Sequence, residues 1–216
     1  IRVAMSIDLG AAPVSKAYRK LFNERTDSFR GVFAEAQDRD PDFSNIHDCF
    51  EVLRGVVFVG AHGERVKNHR DNISPNVVDN VDRGLLYGLE DVARAHVQQS
   101  TIARNWLSLF DDVDVVICPA AAVTPFPHSD WFVSEIDGEE MPTYMRWLAL
   151  SYAPTMAMAC GAVLPCGLDD QGMPFGIQIL GAPGMDRHVL EVAASLERVL
   201  AANPATARPI PDIKKL

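Results

Sequence analysis

Apolar and polar positions along the chain fall into short runs of helical period separated by compact hydrophobic stretches. Ile1-Arg2-Val3-Ala4-Met5-Ser6-Ile7 predicts a strand stopped by Asp8-Leu9-Gly10. Pro13 and Ser15 open a helix expected to reach about Gln37, with Ala17, Leu21, Phe29, Val32, Phe33 and Ala36 as a rough stripe. A second helix is expected from Ile46 to about Ala61, with Phe50, Leu53, Val57 and Phe58 on one side. Ser74-Pro75 pairs a capping residue with Pro at the first helical position, a start signal. Leu85, Leu89, Val92, His96, Ala103, Trp106 and Phe110 then recur at helical spacing, so residues 85–110 read as a long helix with His96 as a buried, hydrogen-bonded member of its stripe. Val113 to Cys118 is a β-branched run that predicts a parallel strand buried on both faces.

The chain is organised around Tyr144–Gly181. From Trp147 to Leu168 it carries no formal charge, and it returns through Asp169-Asp170-Gln171-Gly172 into Phe175-Gly176-Ile177-Gln178-Ile179-Leu180. Pro154, Pro165, Gly161 and Gly167 interrupt the run, which argues against a membrane span and for two buried strands in a hairpin. Before it, residues 119–143 form a crossing loop rich in Pro and aromatics, of a length that is often functional. After it, Asp186 caps a last helix through Leu200, and Pro204, Pro209 and Pro211 predict an extended tail over 203–216. Strands separated by helices, with a hairpin near the end, predict an α/β architecture, a mixed β-sheet flanked by helices, built as one piece over 1–216.

Charge narrows the partners. A formal net charge of −9 and only five Lys give no basic stripe, which argues against nucleic acid. Four Cys at 49, 118, 160 and 166 make no disulfide scaffold and suit a reducing, cytoplasmic setting. The chain opens on Ile1 and is at once in a strand, which reads as a piece of a longer protein.

The search for a reacting group returns little. No G-x-S-x-G, Ser-x-x-Lys, Gly-rich phosphate loop, C-x-x-C or H-E-x-x-H is present. His47-x-Cys49 and His62 with His69 are weak approaches to metal spacing, better explained as structural or solvated. Asp38-Arg39-Asp40-Pro41-Asp42 has the alternation of a calcium loop, but Phe43 stands where that loop needs Gly and Cys49 where it needs Glu. Cys118 and Cys166 end apolar strands without a basic neighbour in sequence and read as core or pocket wall. No metal, cofactor or catalytic residue is assigned.

The ordered motifs carry a resemblance. Gly172-Met173-Pro174-Phe175-Gly176-Ile177-Gln178, preceded by Leu164-Pro165-Cys166-Gly167, resembles the G-L-P-x-G-L-Q hairpin of the amidase signature family, serine hydrolases that cleave carboxamides. Asp114-Val115-Val116-Ile117-Cys118-Pro119 resembles its D-x-L-L-x-P strand; Pro125-Phe126-Pro127 and Tyr144-x-x-Trp147 resemble elements of many bacterial members. Ile1 to Gly10 is similar to the strand after the family's catalytic region, so the likeness is collinear over nearly the whole chain. It implies the C-terminal half of an amidase-signature fold. The nucleophilic Ser, bridging Ser and general-base Lys of the family belong to a Gly/Ser-rich region that this chain lacks, so no catalytic residue transfers. The family's G-x-P-A is replaced by Met158-Ala159-Cys160-Gly161 and its Ser by Val163, which leaves the substrate class open.

Two readings follow. In the first, this is the C-terminal part of an amidase-like hydrolase, taking a small amide substrate only together with its N-terminal half and, when separated from it, prone to form a homodimer. In the second, it is a stand-alone, non-catalytic binding or scaffolding module of the same fold. Phe126, Tyr144, Trp147 and Tyr152 are the candidates for the pocket mouth, against the alternative that they pack the loop onto the sheet.

Overall fold

A computed structural model describes residues 1–211. Its centre is a five-stranded sheet. β1 (Arg2–Met5) leads into α1 (Lys16–Asp27), a 3-10 turn (Arg30–Val32) and β2 (Glu35–Asp38). Three helices follow, α2 (Ile46–His69), α3 (Pro75–Gly84) and α4 (Leu89–Leu109), and then β3 (Val115–Pro119). A small hairpin, β4 (Glu135–Ile136) and β5 (Glu139–Glu140), sits in the long loop before a 3-10 turn (Arg146–Leu148) and α5 (Ala149–Met156). β6 (Cys160–Leu168), β7 (Pro174–Gly181) and α6 (Asp186–Ala201) complete the chain.

Strand order is β2-β1-β3-β7-β6. β1 is parallel to β2 and β3, whereas β3–β7 and β7–β6 are antiparallel. This is the mixed, helix-flanked α/β sheet the sequence predicts. β3 is buried at every position, as a central strand with covered faces must be. β7 buries Ile177, Ile179 and Leu180, while β6, at the edge, leaves Val163 63% exposed. The hairpin is therefore one buried strand and one half-open edge strand. The first half of the charge-free run, from Ala149, is helix.

Three other expectations are corrected. The helix from Ser15 stops at Asp27, and residues 35–38 form a strand. Glu-Ala-Gln-Asp has little intrinsic strand preference; its pairing with β1, from Arg2 opposite Glu35 to Met5 opposite Asp38, decides its state. The 85–110 helix starts at Leu89, and its core stripe is Ala95, Ile102, Ala103, Trp106 and Leu109. Leu85, Leu89 and His96 are exposed, so His96 is a surface residue rather than a buried one. The tail is not extended throughout: residues 203–207 turn back on the sheet and bury Thr206, whose hydroxyl donates to the Leu200 carbonyl at 2.8 Å. The end of that tail, 212–216, lies outside the described residues.

The second helix is longer than expected, running to His69. Gly55 on α2 and Gly84 on α3 let these helices touch backbone to backbone: a Cβ added to Gly84 would lie 2.5 Å from the Gly55 carbonyl oxygen. Among the described residues, no helix is long and apolar enough to cross a membrane.

Candidate functional site

One face of α2 meets the end of the long loop and α5. His47, Phe50, Glu51, Arg54 and Phe58 recur three and four apart and so share that face. The ring of Phe50 stacks on Tyr152 with centroids 4.0 Å apart and planes 5° from parallel. The Arg54 guanidinium lies over the Phe58 ring at 4.3 Å from its centroid and reaches Phe50 at 5.8 Å. Arg54 Nε donates to Asn80 Oδ1 at 2.9 Å, and its Nη2 donates to the Tyr144 hydroxyl at 3.1 Å. Asn80 Nδ2 donates to the same hydroxyl. Tyr144 is thus held by two helices at once. Arg146 pairs with Glu51 at 3.3 Å, both side chains about a quarter exposed.

His47 joins three segments. Its Nε2 lies 3.2 Å from the Ala11 carbonyl oxygen, in the loop after β1, and its Nδ1 lies 2.5 Å from the Tyr152 hydroxyl. A carbonyl can only accept, so Nε2 carries the proton and Nδ1 accepts from Tyr152. Burial, aided by the nearby Arg146 charge, holds the His47 pKa below its ordinary value, which keeps the ring neutral. Burial likewise raises the Tyr152 hydroxyl.

The four aromatics read from the sequence fall in three places here. Tyr144 lines a narrow cleft of about 20 Å³ with Glu51, Arg54, Asn80 and Thr143. Phe126 and Trp147 meet edge to face at 5.3 Å, both only half-buried. Tyr152 is buried in the stack on Phe50. The sequence reads His47 only as structural or solvated, and does not single out Glu51, Arg54 and Asn80. The first three stand at helical spacing with the apolar Phe50 and Phe58, a signal that α2 has a polar as well as an apolar contact face.

The loop itself is tied down at several points. Asp137, at the tip of the β4–β5 hairpin, accepts from the Lys16 amide at 2.7 Å, at the N-terminus of α1 where unpaired N–H groups favour a carboxylate. Asp169 accepts from the Thr124 hydroxyl at 2.7 Å and from the Gln171 and Met173 amides, so it closes the β6–β7 turn and anchors the loop together. Below the loop, Gln178 is buried and its Nε2 donates to the Pro119 carbonyl at 3.2 Å and to the Leu150 carbonyl at 2.9 Å.

No described thiol is set up as a nucleophile. Burial pushes Cys49 up to about 11 and Cys166 up to about 12, and raises Cys118 and Cys160 as well. Cys118 and Cys166 are wholly buried, as core residues are. His47, packed edge to face on Tyr152, is engaged at both ring nitrogens. The arrangement holds the end of the loop and α5 against α2, and the hydroxyl beside His47, that of Tyr152, has its pKa raised by burial.

Comparison with known proteins gives the family. The chain is 23% identical over 203 residues to an acylamidase of Rhodococcus erythropolis, covering 92% of this chain and 42% of that protein. It is 30% identical over 112 residues to a fatty acid amide hydrolase of Medicago truncatula, covering 50% of this chain and 18% of that protein. A bacterial aryl acylamidase of the amidase signature family superposes with a TM-score of 0.81 at 20% identity, over 97% of this chain and 46% of the other. The structure of 6-aminohexanoate cyclic dimer hydrolase superposes at 0.76 with 16% identity, over 95% and 46%. The chain thus spans less than half the length of these relatives. A sequence model of the family, described as Amidase, matches residues 65–190, from the end of α2 through β7 into α6, and by that match the chain belongs to the amidase family.

Proposed function

We propose that this chain is the C-terminal part of an amidase-like hydrolase that cleaves a carboxamide C–N bond, with its Ser-Ser-Lys centre outside residues 1–216. The observation that carries this reading is a mismatch. Nearly all of this chain superposes on less than half of an amidase-signature enzyme, and among the described residues no Ser hydroxyl is hydrogen-bonded to a Lys side chain as that centre requires. In this role the five-stranded sheet supplies a rigid wall, and the 120–149 excursion with α5 shapes the pocket mouth through Phe126, Tyr144 and Trp147, with Tyr152 supporting them from its buried stack on Phe50. Rigid positioning is what such a part contributes to catalysis, since misplacement of a substrate by about 1 Å can cost a hundredfold in rate.

The test has two arms. The reading frame upstream of Ile1 is expected to encode a Gly/Ser-rich segment preceded by a Lys, and the full-length product is expected to release an amine from simple carboxamides. Residues 1–216 alone are expected to be inactive and to self-associate in sedimentation, because Val57, Leu86 and Val163 among others are more than half exposed. An upstream frame without Lys and Ser, together with a monomeric chain, would favour the stand-alone module instead.

A further inference from the structure

We propose that Gln178 is a positioning residue that fixes both ends of the 120–149 excursion at a single point. Its place in the sheet makes this feasible. Gln178 stands in β7 opposite Cys118 of β3, one residue before the excursion leaves at Pro119. The other end re-enters the fold at α5, whose first turn contains Leu150. One side-chain NH2 has two protons, and each goes to one end: Pro119 O at 3.2 Å and Leu150 O at 2.9 Å. Both partners are carbonyls, so the amide cannot be turned over without setting oxygen against oxygen.

Leu150 is not an arbitrary partner. In an α-helix its carbonyl would accept from the N–H of residue 154. That residue is Pro154, inside α5, and proline has no N–H. Both residues are buried, so water is a poor substitute donor. Gln178 supplies from the sheet the hydrogen bond that Pro154 removes from the helix. The proline thus opens a place on α5 for the sheet to grip, and the grip sits directly before Tyr152. Its consequence for substrate binding rests on the reading above; the clamp itself does not.

The experiment is hydrogen exchange on the full-length product of the gene, comparing wild type, Gln178→Met, Pro154→Ala and the double variant. Met has nearly the shape of Gln but no donors. Gln178→Met is expected to speed exchange about tenfold or more at amides of 120–123 and 146–153, the loss of about one buried hydrogen bond at each end. β1 and α6 should be unchanged. Pro154→Ala restores an N–H to Leu150, so in that background the effect of Gln178→Met on α5 should largely vanish. A uniform rise across the sheet, no rise in those segments, or strictly additive effects would overturn the proposal. If Gln178→Met does not fold, the double variant decides: recovery of a folded protein supports the clamp and failure overturns it. Failure here leaves the amidase reading intact, because exchange is read without substrate; an inactive enzyme with the expected exchange pattern would sink only that reading.

Discussion

Gly84 of α3 packs its Cα against the backbone of Gly55 on α2, and a Cβ on Gly84 would meet the Gly55 carbonyl oxygen at 2.5 Å and Val59 Cγ2 at 2.7 Å. The absence of two side chains brings the helices together, and this proximity lets Arg54 and Asn80 both reach the Tyr144 hydroxyl. Gly84→Ala is therefore expected to force the helices apart and destabilise by about 1–3 kcal/mol. Denaturant unfolding measures it. Gly31→Ala, where a Cβ meets nothing within 4 Å, is the control and should stay near neutral.

Gly167 holds the turn after residue 203 in place. Its φ is +82°, and a Cβ there would lie 2.1 Å from the Ala205 carbonyl oxygen, a contact with backbone that cannot yield cheaply. Gly167→Ala should release residues 203–207 and expose Thr206. Limited proteolysis, read by mass, should show new cleavage near the C-terminus; an unchanged digestion pattern would contradict the contact.

His47 links stability to pH. Its folded-state pKa lies below the unfolded value of about 6.5, with burial as the main cause and the Arg146 charge second. Between the two values the unfolded chain binds more protons than the folded one. The stability contributed by the neutral ring is complete above about pH 6.5 and is lost as pH falls from there through the lower folded-state value. His47→Gln can still accept from Tyr152 and donate to Ala11, but it does not titrate. It should flatten the fall in melting temperature between about pH 6.5 and 5; an equally steep profile in the variant would assign the titration to another group.

The cysteines should be sluggish. All four thiols are raised by burial, and Cys49, Cys118 and Cys166 are closed off from solvent. Alkylation by iodoacetamide at pH 7 should reach Cys160 first, as the half-buried one, at a rate no faster than a free thiol. Rapid modification of any of the other three in the folded state would reveal an activated thiol.

Periodicity and turn chemistry carried much of the fold. The Ser74-Pro75 start and the Gly-containing turn at 169–172 stand where expected. The β-branched run at 113–118 becomes the buried strand β3, parallel to β1 but antiparallel to β7, because local forces settle such features within a few residues and only pairing sets direction. The collinear motifs carried the family. Residues 28–38 were not legible, because Glu35-Ala36-Gln37-Asp38 becomes a strand only by lying beside β1. His96 was misplaced since a regular stripe defines a face of a helix but not which neighbour covers it; α4 turns Ala95, Ile102 and Leu109 inward together with the expected Ala103 and Trp106.

The residues that organise the site were the least visible. Phe126, Tyr144, Trp147 and Tyr152 stand out by type, yet their holders are Arg54 and Asn80, 90 and 64 positions away from Tyr144, and His47, 105 from Tyr152. Sequence by itself determined the layer architecture, the buried central strand, the hairpin and the kinship with amidases, because these rest on local propensity and on ordered motifs. Tertiary structure alone decided which polar groups pair. A buried carbonyl such as that of Leu150 must find a donor, and Pro154 says only that the helix will not supply it. The fold, by bringing β7 beneath α5, says that Gln178 does.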